Sequence, residues 1–487
     1  MIRYSVVISV VGLVIQGFSA VMVIPFLVAM MLREYNSAGL ILLSTLFGIL
    51  IGRMAMRCNP GRNFDDLGRI EGMGIVAFSW LGVAIVGSIP YIGFGLGIVD
   101  SLFESMSGFT TTGATIFSHF SLYNQSLFFY RGFTQWLGGM GILVLFVAIL
   151  PHLAISGRQL FFAETSSASQ EKLTPRISHT AQNLWSWYFF LTLIEAITLY
   201  MVGMPLIDSF SNTFTTMAAG GFSPHPQSIM GYHSAAVEWV IIFFMFLAGA
   251  NFTLQVKAVK GKPSAFFSNS ELKVYALIVV VATAILTFVL RSSGPETGII
   301  ENLRTALFQN LSIITTTGFA SVDFEQWTDT AKAVIFVLMF IGGCSGSAGG
   351  GIKVVRLLLL VKYISKMLLR TVYPNAVVTV KLQNKTFKEK EIQPVFSFVV
   401  LYFLFFAIGG TLASLIENNL IVGYTGAIAT LGNIGPGFGL IGPMGSFAGL
   451  HWLTKCIFIF LMWAGRLEIM ALAVFLRVET WRDSRWK

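Results

Sequence analysis

The sequence has little charge. Only 11% of its 487 residues are charged, whereas a soluble domain carries about 25%. The chain therefore lacks the polar surface that a water-soluble globule needs. Apolar stretches of roughly 20 residues recur along it, each long enough to cross a hydrocarbon core of about 30 Å. These features predict a protein that crosses a membrane several times.

Cysteine and histidine are also scarce. The three cysteines, Cys58, Cys344 and Cys456, form no CxxC pair, which argues against a disulfide framework and a zinc site. The six histidines have no metal-ligand spacing. The apolar stretches hold no cluster of His, Asp, Glu or Cys, which a membrane-embedded enzyme would need. We therefore expect no catalytic residues, no resident metal and no cofactor in this chain.

The basic residues lie between the apolar stretches. A net charge of +9 would suit a nucleic-acid partner, but this distribution is typical of cytoplasmic loops in membrane proteins. We predict ten spans, near residues 5–31, 38–57, 71–92, 126–150, 183–203, 236–255, 271–290, 331–361, 393–416 and 451–477. The Lys/Arg-rich connections at 53–69, 158–176, 257–262 and 353–390 and the tail at 481–487 are then cytoplasmic. Both termini fall on that side, and the first stretch is too long for a signal-peptide core.

Four further segments are apolar but too short to cross. They are Ile98–Thr112, Pro205–Gly220, Ile299–Thr317 and Gly423–Ile434. At 1.5 Å per residue, a helix of about 12–15 residues spans only half a bilayer. Each segment leads into small residues, glycine and a polar connection, which is typical of a half-helix that enters the membrane and returns. Irregular backbone at that depth is tolerated only inside protein or along a water-filled path.

The endings of the four segments resemble one another. Their sequences are ESMSGFTTTGAT, SNTFTTMAAGGFS, QNLSIITTTGFAS and GAIATLGNIGPGFG. We align Gly113, Gly221, Gly318 and Gly435, which recur about every hundred residues. The second ending has two adjacent glycines, so the choice between Gly220 and Gly221 stays open. The fourth has GNIG, so the four side-chain sets are unequal.

The repeat predicts an all-α polytopic membrane protein. Four non-identical helix–half-helix–loop–helix pore units surround one central pore, and two extra transmembrane helices precede them. The expected bounds are 1–60 for those two helices and 70–155, 180–262, 270–370 and 390–487 for the four units. Within this scheme, only the third unit is expected to have a second helix that is broken by glycine.

The repeated loop has the chemistry of a cation filter. A dehydrated cation needs oxygens in place of water, and backbone carbonyls supply them without fixed charge. Glycine adopts the unusual dihedrals that inward-pointing carbonyls require, and the C-terminal end of each half-helix carries about −0.5 charge. The predicted potassium filter residues are Thr111, Thr112, Gly113, Ala219, Gly220, Gly221, Thr316, Thr317, Gly318, Asn433, Ile434 and Gly435. The alternative is that glycine serves helix packing, as we assign for Gly48 and Gly52.

A second glycine cluster, GGCSGSAGGGIK, lies inside the span at 331–361. It is not a phosphate-binding loop, because Ile352 separates glycine from lysine and both flanks are apolar helix. So many glycines break a helix, and the break is either a simple kink or a flexible element in the ion path. The residues assigned to gating in this segment are Gly342, Gly343, Gly346, Gly349, Gly350, Gly351 and Lys353.

Two charged residues within the apolar segments need partners or a cavity. Arg466 lies near the middle of the last span. It is either paired with Glu468 or another buried acid, or it forms an electrostatic barrier below the filter that contacts the glycine cluster. Glu104 is expected to hydrogen-bond backbone behind the filter rather than to touch an ion.

These motifs resemble those of the Trk/Ktr/HKT superfamily of cation transporters, and most closely its bacterial potassium uptake subunits. The resemblance covers nearly the whole chain. It rests on SGFTTTGAT, YRGFTQWLGGMGILVLFVAILP, GGFS, FIGGCSGSAGGGIKVVR, YPNAV, NIGPGFG and GRLE. It implies that the four aligned glycines line a selectivity filter, that 342–351 closes the pore below it, and that Arg466 acts near that segment.

The resemblance also implies partners and a location. Family members form homodimers with one pore per protomer, on a cytosolic ring of nucleotide-binding, TrkA-like regulatory subunits, in the bacterial inner membrane. Serine at the first filter position goes with sodium preference in the superfamily, so glycine at all four positions favours potassium. Channel-like flow and proton- or sodium-coupled symport both stay open. A secondary transporter of an organic solute would instead have inverted halves and buried charges at a midplane site.

Overall fold

The computed structural model describes residues 3–58, 68–149, 174–293, 298–383 and 385–476, and it is almost entirely helical. Parts of the predicted cytoplasmic connections and the whole tail at 481–487 lie outside these residues. The first three helices are α1 (Tyr4–Val21), α2 (Val23–Met31) and α3 (Tyr35–Met56). Their close packing uses glycine, because a Cβ on Gly52 would lie 2.6 Å from the carbonyl oxygen of Gly12. The predicted packing role of the Gly48–Gly52 pair is confirmed.

Four units of similar order follow. The first has α4 (Arg69–Gly87), α5 (Ile89–Gly93), α6 (Ile98–Phe109) and α7 (Gln125–Ile149). The second has α8 (Thr174–Met201), α9 (Leu206–Met217), α10 (Ala235–Gly249) and α11 (Phe252–Val259), and α12 (Ser264–Phe267) joins it to the third. The third has α13 (Ser270–Ser293), α14 (Ile299–Ile314), α15 (Asp329–Leu338) and α16 (Val354–Val372). The fourth has α17 (Glu389–Glu417), α18 (Leu420–Leu431), α19 (Trp452–Arg466) and α20 (Met470–Leu476).

The half-helices α6, α9, α14 and α18 are the short elements that the sequence predicts. Three have 12 residues and α14 has 16, so each is about 18–24 Å long. Three of them carry an acid in the first turn, where the helix dipole favours negative charge: Asp100, Asp208 and Glu301. The fourth, α18, is capped by Asn419, whose side chain accepts from the backbone nitrogen of Val422 at 3.1 Å.

Six helices of the described residues are long and apolar enough to cross a membrane. They run over Tyr4–Met31, Tyr35–Met56, Ile70–Gly93, Gln182–Met201, Ser270–Ser292 and Glu389–Glu417. The helices α10 and α11 make a seventh candidate as a bent pair. At the remaining three predicted spans the structure has α7, the pair α15 and α16, and the pair α19 and α20.

The expectation that only the third unit has a broken second helix is wrong. In the second unit, the chain bends by 102° between α10 and α11. The break falls at Gly249, and the Asn251 side chain then caps α11 by accepting from Leu254 N at 3.1 Å. In the fourth unit, α19 ends at Arg466 because Glu468 and Ile469 have left-handed backbones with φ of 56° and 49°.

One small β-hairpin adds to the helical fold. Strand β1 (Val380–Leu382) pairs antiparallel with β2 (Lys385–Phe387). Its buried side chains pack with Val355 and Leu359 of α16 and with Ile392 of α17 in a separate apolar cluster. The hairpin therefore ties the end of the third unit to the start of the fourth.

Candidate functional site

The four half-helices end in the same way. Each closes with a Schellman motif, in which two successive backbone nitrogens donate back into the last turn. In the first unit, Thr111 N donates to Gly108 O at 3.0 Å and Thr112 N donates to Ser107 O at 2.8 Å. The same bonds join Ala219–Thr216 and Gly220–Thr215, Thr316–Ile313 and Thr317–Ser312, and Asn433–Thr430 and Ile434–Ala429. The chain leaves all four half-helices along one path although the sequences differ.

Two positions in each ending have a left-handed backbone. The first is held by Thr111, Ala219, Thr316 and Asn433, with φ of 53°, 54°, 59° and 53°. Two residues later stand Gly113, Gly221, Gly318 and Gly435, with φ of 83°, 78°, 78° and 107°. By this geometry Gly221, and not Gly220, is the counterpart of the other three glycines. The first position is strained, because a left-handed backbone costs a non-glycine residue about 1–2 kcal/mol.

The four loops form a closed ring of contacts. A Cβ added to a ring glycine would meet the carbonyl oxygen of the residue just before the glycine in the next unit. The contacts of the added Cβ atoms would be Gly113 with Gly220 O, Gly221 with Thr317 O, Gly318 with Ile434 O and Gly435 with Thr112 O. At Gly435 the added Cβ would lie 2.9 Å from the carbonyl oxygen, and at the other three positions the added Cβ would overlap the carbonyl oxygen. A side chain at any of these positions would therefore push two units apart. We call these contacts the four-loop ring.

The units of the ring are braced by different side chains. In the two TTTG endings, the outer threonine hydroxyls bond each other at 2.8 Å, as in Thr110 with Thr112. In the second ending, Gln135 of α7 donates to Gly220 O at 2.7 Å and accepts from Phe222 N at 3.1 Å. In the fourth, Asn433 donates to the Thr112 hydroxyl at 2.9 Å. The backbone path is shared, but each unit holds it differently.

A buried ion pair lies behind the first loop. Glu104 and Arg131 are fully buried, with 2.6 Å between Glu104 Oε1 and Arg131 Nη2. The other carboxylate oxygen accepts from Ile116 N at 2.8 Å, so the predicted backbone contact of Glu104 is present. The Arg131 guanidinium also lies 4.0 Å from the ring centroid of Phe222 in the second loop. The pair therefore links two neighbouring loops of the ring.

A cavity of about 530 Å³ opens above the four-loop ring. All four ring glycines line it, together with Arg131, Phe222, His225 and residues of the connections that follow the first, second and fourth half-helices. No acidic residue is among its described lining residues. Burial lowers the pKa of His225, so this histidine is neutral at pH 7. We call this space the vestibule.

The glycine segment, Gly342–Gly351, lies directly against the opposite side of the ring. Gly350 N donates to the Thr316 hydroxyl at 2.7 Å. A Cβ on Gly349 would lie 2.7 Å from Thr315 O, and one on Gly350 would lie 2.5 Å from Gly432 O. Only glycine allows this approach, so the segment lies against the ends of the third and fourth half-helices.

The break in the second unit holds the glycine segment. Cys344 N donates to Gly249 O at 2.8 Å, and Ala348 N donates to Ala248 O at 3.1 Å. The Asn251 amide donates to Ser345 O at 2.6 Å. The broken helix exposes the carbonyls that the irregular segment needs, and irregular backbone inside a membrane protein requires such partners.

Arg466 contacts the glycine segment rather than an acid. Its Nη1 donates to Ala348 O at 3.2 Å, and its Nη2 lies 3.4 Å from Gly138 O. Glu468 instead pairs with Arg356 at 2.7 Å. The alternative that Arg466 pairs with Glu468 is therefore wrong, and the expected contact with the segment is present. Lys353 donates to the carbonyl of Gly349 within the same segment.

Three residues of the site were not predicted from the sequence: Gln135, Asn251 and Glu271. Each is buried and bonds backbone of the ring or the glycine segment. A local signal existed only for Asn251, because an Asn after Gly-Ala suits a helix N-cap. The role of Gln135 depends on packing between units and that of Glu271 on packing between distant parts of one unit, and hydrophobic periodicity reports neither.

The arrangement suits a desolvated monovalent cation. Four half-helix ends converge on a ring of backbone, and each end carries partial negative charge. The residues at the ring are uncharged, so an ion would meet backbone and hydroxyl oxygens. Among the described residues, no group of three or more His, Cys, Asp or Glu could hold a metal ion.

The fold and the ring define a class of polytopic membrane proteins built from four pore-loop units. Residues 70–487 match the family described as TrkH, cation transport protein. The Trk system potassium uptake protein TrkH of Salmonella typhimurium is 35% identical, covering 99% of this chain and 100% of the relative. TrkH of Escherichia coli has the same identity and coverage, and TrkG of Escherichia coli is 30% identical over 85% of this chain and 86% of the relative.

The structural comparison agrees. The crystal structure of the potassium transporter TrkH from Vibrio parahaemolyticus has a TM-score of 0.90 at 32% identity, covering 99% of this chain and 100% of that one. The chain belongs to the TrkH family of cation transport proteins. The predicted superfamily and the predicted fold class are both confirmed.

Proposed function

We propose that this chain is the pore-forming subunit of a Trk-type potassium uptake system. The observation that carries the proposal is the closed four-loop ring, which combines a glycine at each position with converging half-helix ends. Relatives at 35% identity over nearly the whole chain are named potassium uptake proteins, and this supports potassium as the transported ion.

We assign ion selection to the four-loop ring. The filter set is the predicted one: residues 111–113, 219–221, 316–318 and 433–435. Within the second loop, the left-handed backbone supports Gly221 as the filter glycine. A glycine at all four positions lets the loops approach closely, and carbonyl oxygens replace the water of a potassium ion.

We assign closure of the pore to the glycine segment. Its contacts with Thr316 and with the end of the fourth half-helix support this assignment, because they hold the segment against the side of the ring opposite the vestibule. Lys353 and Arg466 both donate to carbonyls of this segment. A fixed positive charge there raises the energy of a cation that leaves the filter, so both residues contribute to the closed state.

The finer assembly follows the family resemblance. We assign a homodimer on a cytosolic, TrkA-like ring of nucleotide-binding regulatory subunits, in the bacterial inner membrane with both termini cytoplasmic. Regulation by a partner subunit fits a sequence without a phosphate-binding loop. The unit bounds proposed are 1–60, 70–155, 180–262, 270–370 and 390–487, as predicted.

Gated conduction is the mechanism that the uncharged ring favours over proton- or sodium-coupled symport. The test is rubidium and potassium flux in liposomes that contain only this chain. Flux down its own gradient, indifferent to imposed proton and sodium gradients, is the expected result. Strict dependence on a second ion gradient would establish symport instead. Transport of an organic solute without potassium flux would overturn the proposed function.

A further inference from the structure

The two ends of the glycine segment meet in a narrow neck. Gly342 N donates to Ile352 O at 2.8 Å, and Val354 N donates to Gly343 O at 3.1 Å. The helix α16 begins immediately after the neck. The shape of the segment therefore depends on how firmly this neck is held to its surroundings.

One carboxylate from another helix reaches both sides of the neck. Glu271, in the first turn of α13, accepts from Ser345 N at 2.6 Å and from Val355 N at 3.2 Å through the same oxygen, Oε1. Its side chain is buried. Ser345 belongs to the segment and Val355 belongs to α16, so one atom joins the segment, the following helix and α13.

This carboxylate does not serve its own helix. An acid in a first turn ordinarily stabilises the free nitrogens of that turn. In α13 the side chain of Asn269 already accepts from Leu272 N at 3.0 Å, and Glu271 turns to the neighbouring backbone instead. Its second oxygen, Oε2, has no hydrogen-bond partner among the described residues. The burial of this carboxylate is therefore compensated mainly by its bonds to the neck.

We propose that Glu271 is a positioning residue that latches the closed glycine segment. The proposal rests on the proposed function, because it assumes that the segment closes the pore. The latch holds the start of the segment and the first turn of α16 together on α13. A motion that carries the segment out of the ion path, or that shifts α16 along its axis, breaks one or both bonds.

The latch is strongest when the carboxylate is ionised. Hydrogen bonds to an ionised acceptor are stronger than those to a neutral one. Glu271→Gln keeps the acceptor oxygen and the length of the side chain but removes the charge. Glu271→Asp keeps the charge but withdraws the oxygen from both nitrogens. Each change weakens the latch by a different route and shifts the segment toward its open form.

Cys344 provides a native reporter beside the latch. It adjoins Ser345 and is buried, whereas Cys58 and Cys456 are exposed. In a Cys58→Ser, Cys456→Ser background, the rate at which a methanethiosulfonate reagent modifies Cys344 reports exposure of the segment. Glu271→Asp, which keeps a negative charge near the thiol, separates exposure from the electrostatic effect of the charge on thiol reactivity. We expect Glu271→Gln and Glu271→Asp each to raise this rate, and potassium flux in liposomes, by about tenfold. Glu271→Asp also serves if Glu271→Gln does not fold.

A matched control exists in the first unit. Glu71 is likewise a buried acid in the first turn of its helix that accepts backbone nitrogens, here those of Gly68 and Arg3, and it differs from Glu271 in also pairing with the Arg3 guanidinium at 2.9 Å. Glu71→Gln should leave both the Cys344 rate and the flux unchanged. An equal rise in this control would reveal general loosening and would overturn the proposal.

A variant lacking part of Gly346–Gly351 separates the two proposals. If shortening raises flux but neither Glu271 variant changes the Cys344 modification rate or the flux, the proposed role of Glu271 is wrong and the glycine segment remains assigned as the closing element. If shortening leaves flux unchanged, the assignment of the segment as the closing element is overturned, whatever Cys344 shows. A rise in all three variants, with Glu71→Gln unchanged, supports the latch.

Discussion

Single backbone positions decide the geometry of the ring. The glycines at 113, 221, 318 and 435 have positive φ and pack on a neighbouring carbonyl. Two effects disfavour a larger residue at these positions. A positive φ is unfavourable for a residue with a Cβ, and that Cβ would clash with a carbonyl oxygen of the neighbouring unit. The sequence made three of these glycines evident, and the structure was needed to choose Gly221 over Gly220.

Gly113→Ser should weaken the discrimination against sodium. The serine would be strained at a φ of 83°, and its Cβ would overlap Gly220 O and displace the second loop. We expect the potassium-to-sodium flux ratio to fall by about tenfold, which corresponds to a loss of about 1.4 kcal/mol in preference. Gly449→Ser is the control, since a Cβ there meets nothing within 4 Å. A Gly113→Ser ratio equal to that of the control would refute the filter assignment.

Acidification of the external solution should reduce potassium flux, because His225 then gains a proton. Burial lowers the pKa of this vestibule histidine, so it is neutral at pH 7 and gains its proton only below the usual range of about 6.5. The added positive charge repels an entering cation. Two neighbouring groups act on this pKa electrostatically: Asp208 opposes the shift and His233 adds to it. Flux measured from external pH 7.5 to about pH 5 should therefore decline with falling pH.

The control for the pH effect is His225→Asn. Asparagine can replace the histidine Nδ1 as the acceptor for Gln227 N, a bond of 3.1 Å here, but it does not titrate. We expect its flux to lose this pH dependence. An unchanged pH profile in the variant would show that another group is responsible.

Arg131→Met should strongly destabilise the protein. It leaves Glu104 buried without its cationic partner, a change that costs about 3–5 kcal/mol. Thermal unfolding in detergent measures the loss, and adding Glu104→Gln should restore part of it because no charge then remains buried. Lys332→Met is the comparison, since its partly exposed pair with Glu325 is worth about 1 kcal/mol or less. Equal losses for the two single variants would contradict the role of the buried pair.

At the scale of elements, composition and periodicity predicted the half-helices well. Their length, their polar endings and their spacing are local properties of the chain. The breaks in the second and fourth units were missed because α10 and α19 lie in continuous apolar runs, and a span is assigned from apolar length alone. Their breaks depend on Gly249 and Asn251 in one unit and on the left-handed Glu468 and Ile469 in the other.

Shortening the glycine segment should raise basal flux. The segment lies against the ends of the third and fourth half-helices only because its glycines allow close approach, and a shorter connection cannot reach the same carbonyls. We expect a variant lacking part of Gly346–Gly351 to conduct rubidium at least about tenfold faster in liposomes without a regulatory subunit. Unchanged flux would mean that the pore closes elsewhere.

The candidate site was predictable where its residues are close together in the sequence and was missed where it joins helices that are far apart in the sequence. Each TTTG or GNIG ending is a local motif, and its half-helix precedes it in sequence. Gln135 belongs to the first unit but braces the second loop, and Glu271, in the first turn of the third unit, bonds Ser345, which lies 74 residues further along the chain. Such contacts arise from packing, for which a single sequence carries no periodic signal.

At the scale of the molecule, four units with one backbone path have unequal side chains. The shared Schellman endings and ring glycines give a nearly fourfold ring. The differences lie below it, in the broken helices of the second, third and fourth units and in Arg466. This division suggests that selection belongs to the shared part and closure to the unequal part.

The most direct test of this division is the ion selectivity of the chain with a shortened glycine segment. Potassium, rubidium and sodium fluxes would be measured in liposomes for that variant and for the unchanged chain. We expect total flux to rise while the potassium-to-sodium ratio stays the same, because the four-loop ring is intact. A potassium-to-sodium ratio that falls sharply as flux rises would show that the segment selects ions as well, and would refute the division between selection and closure.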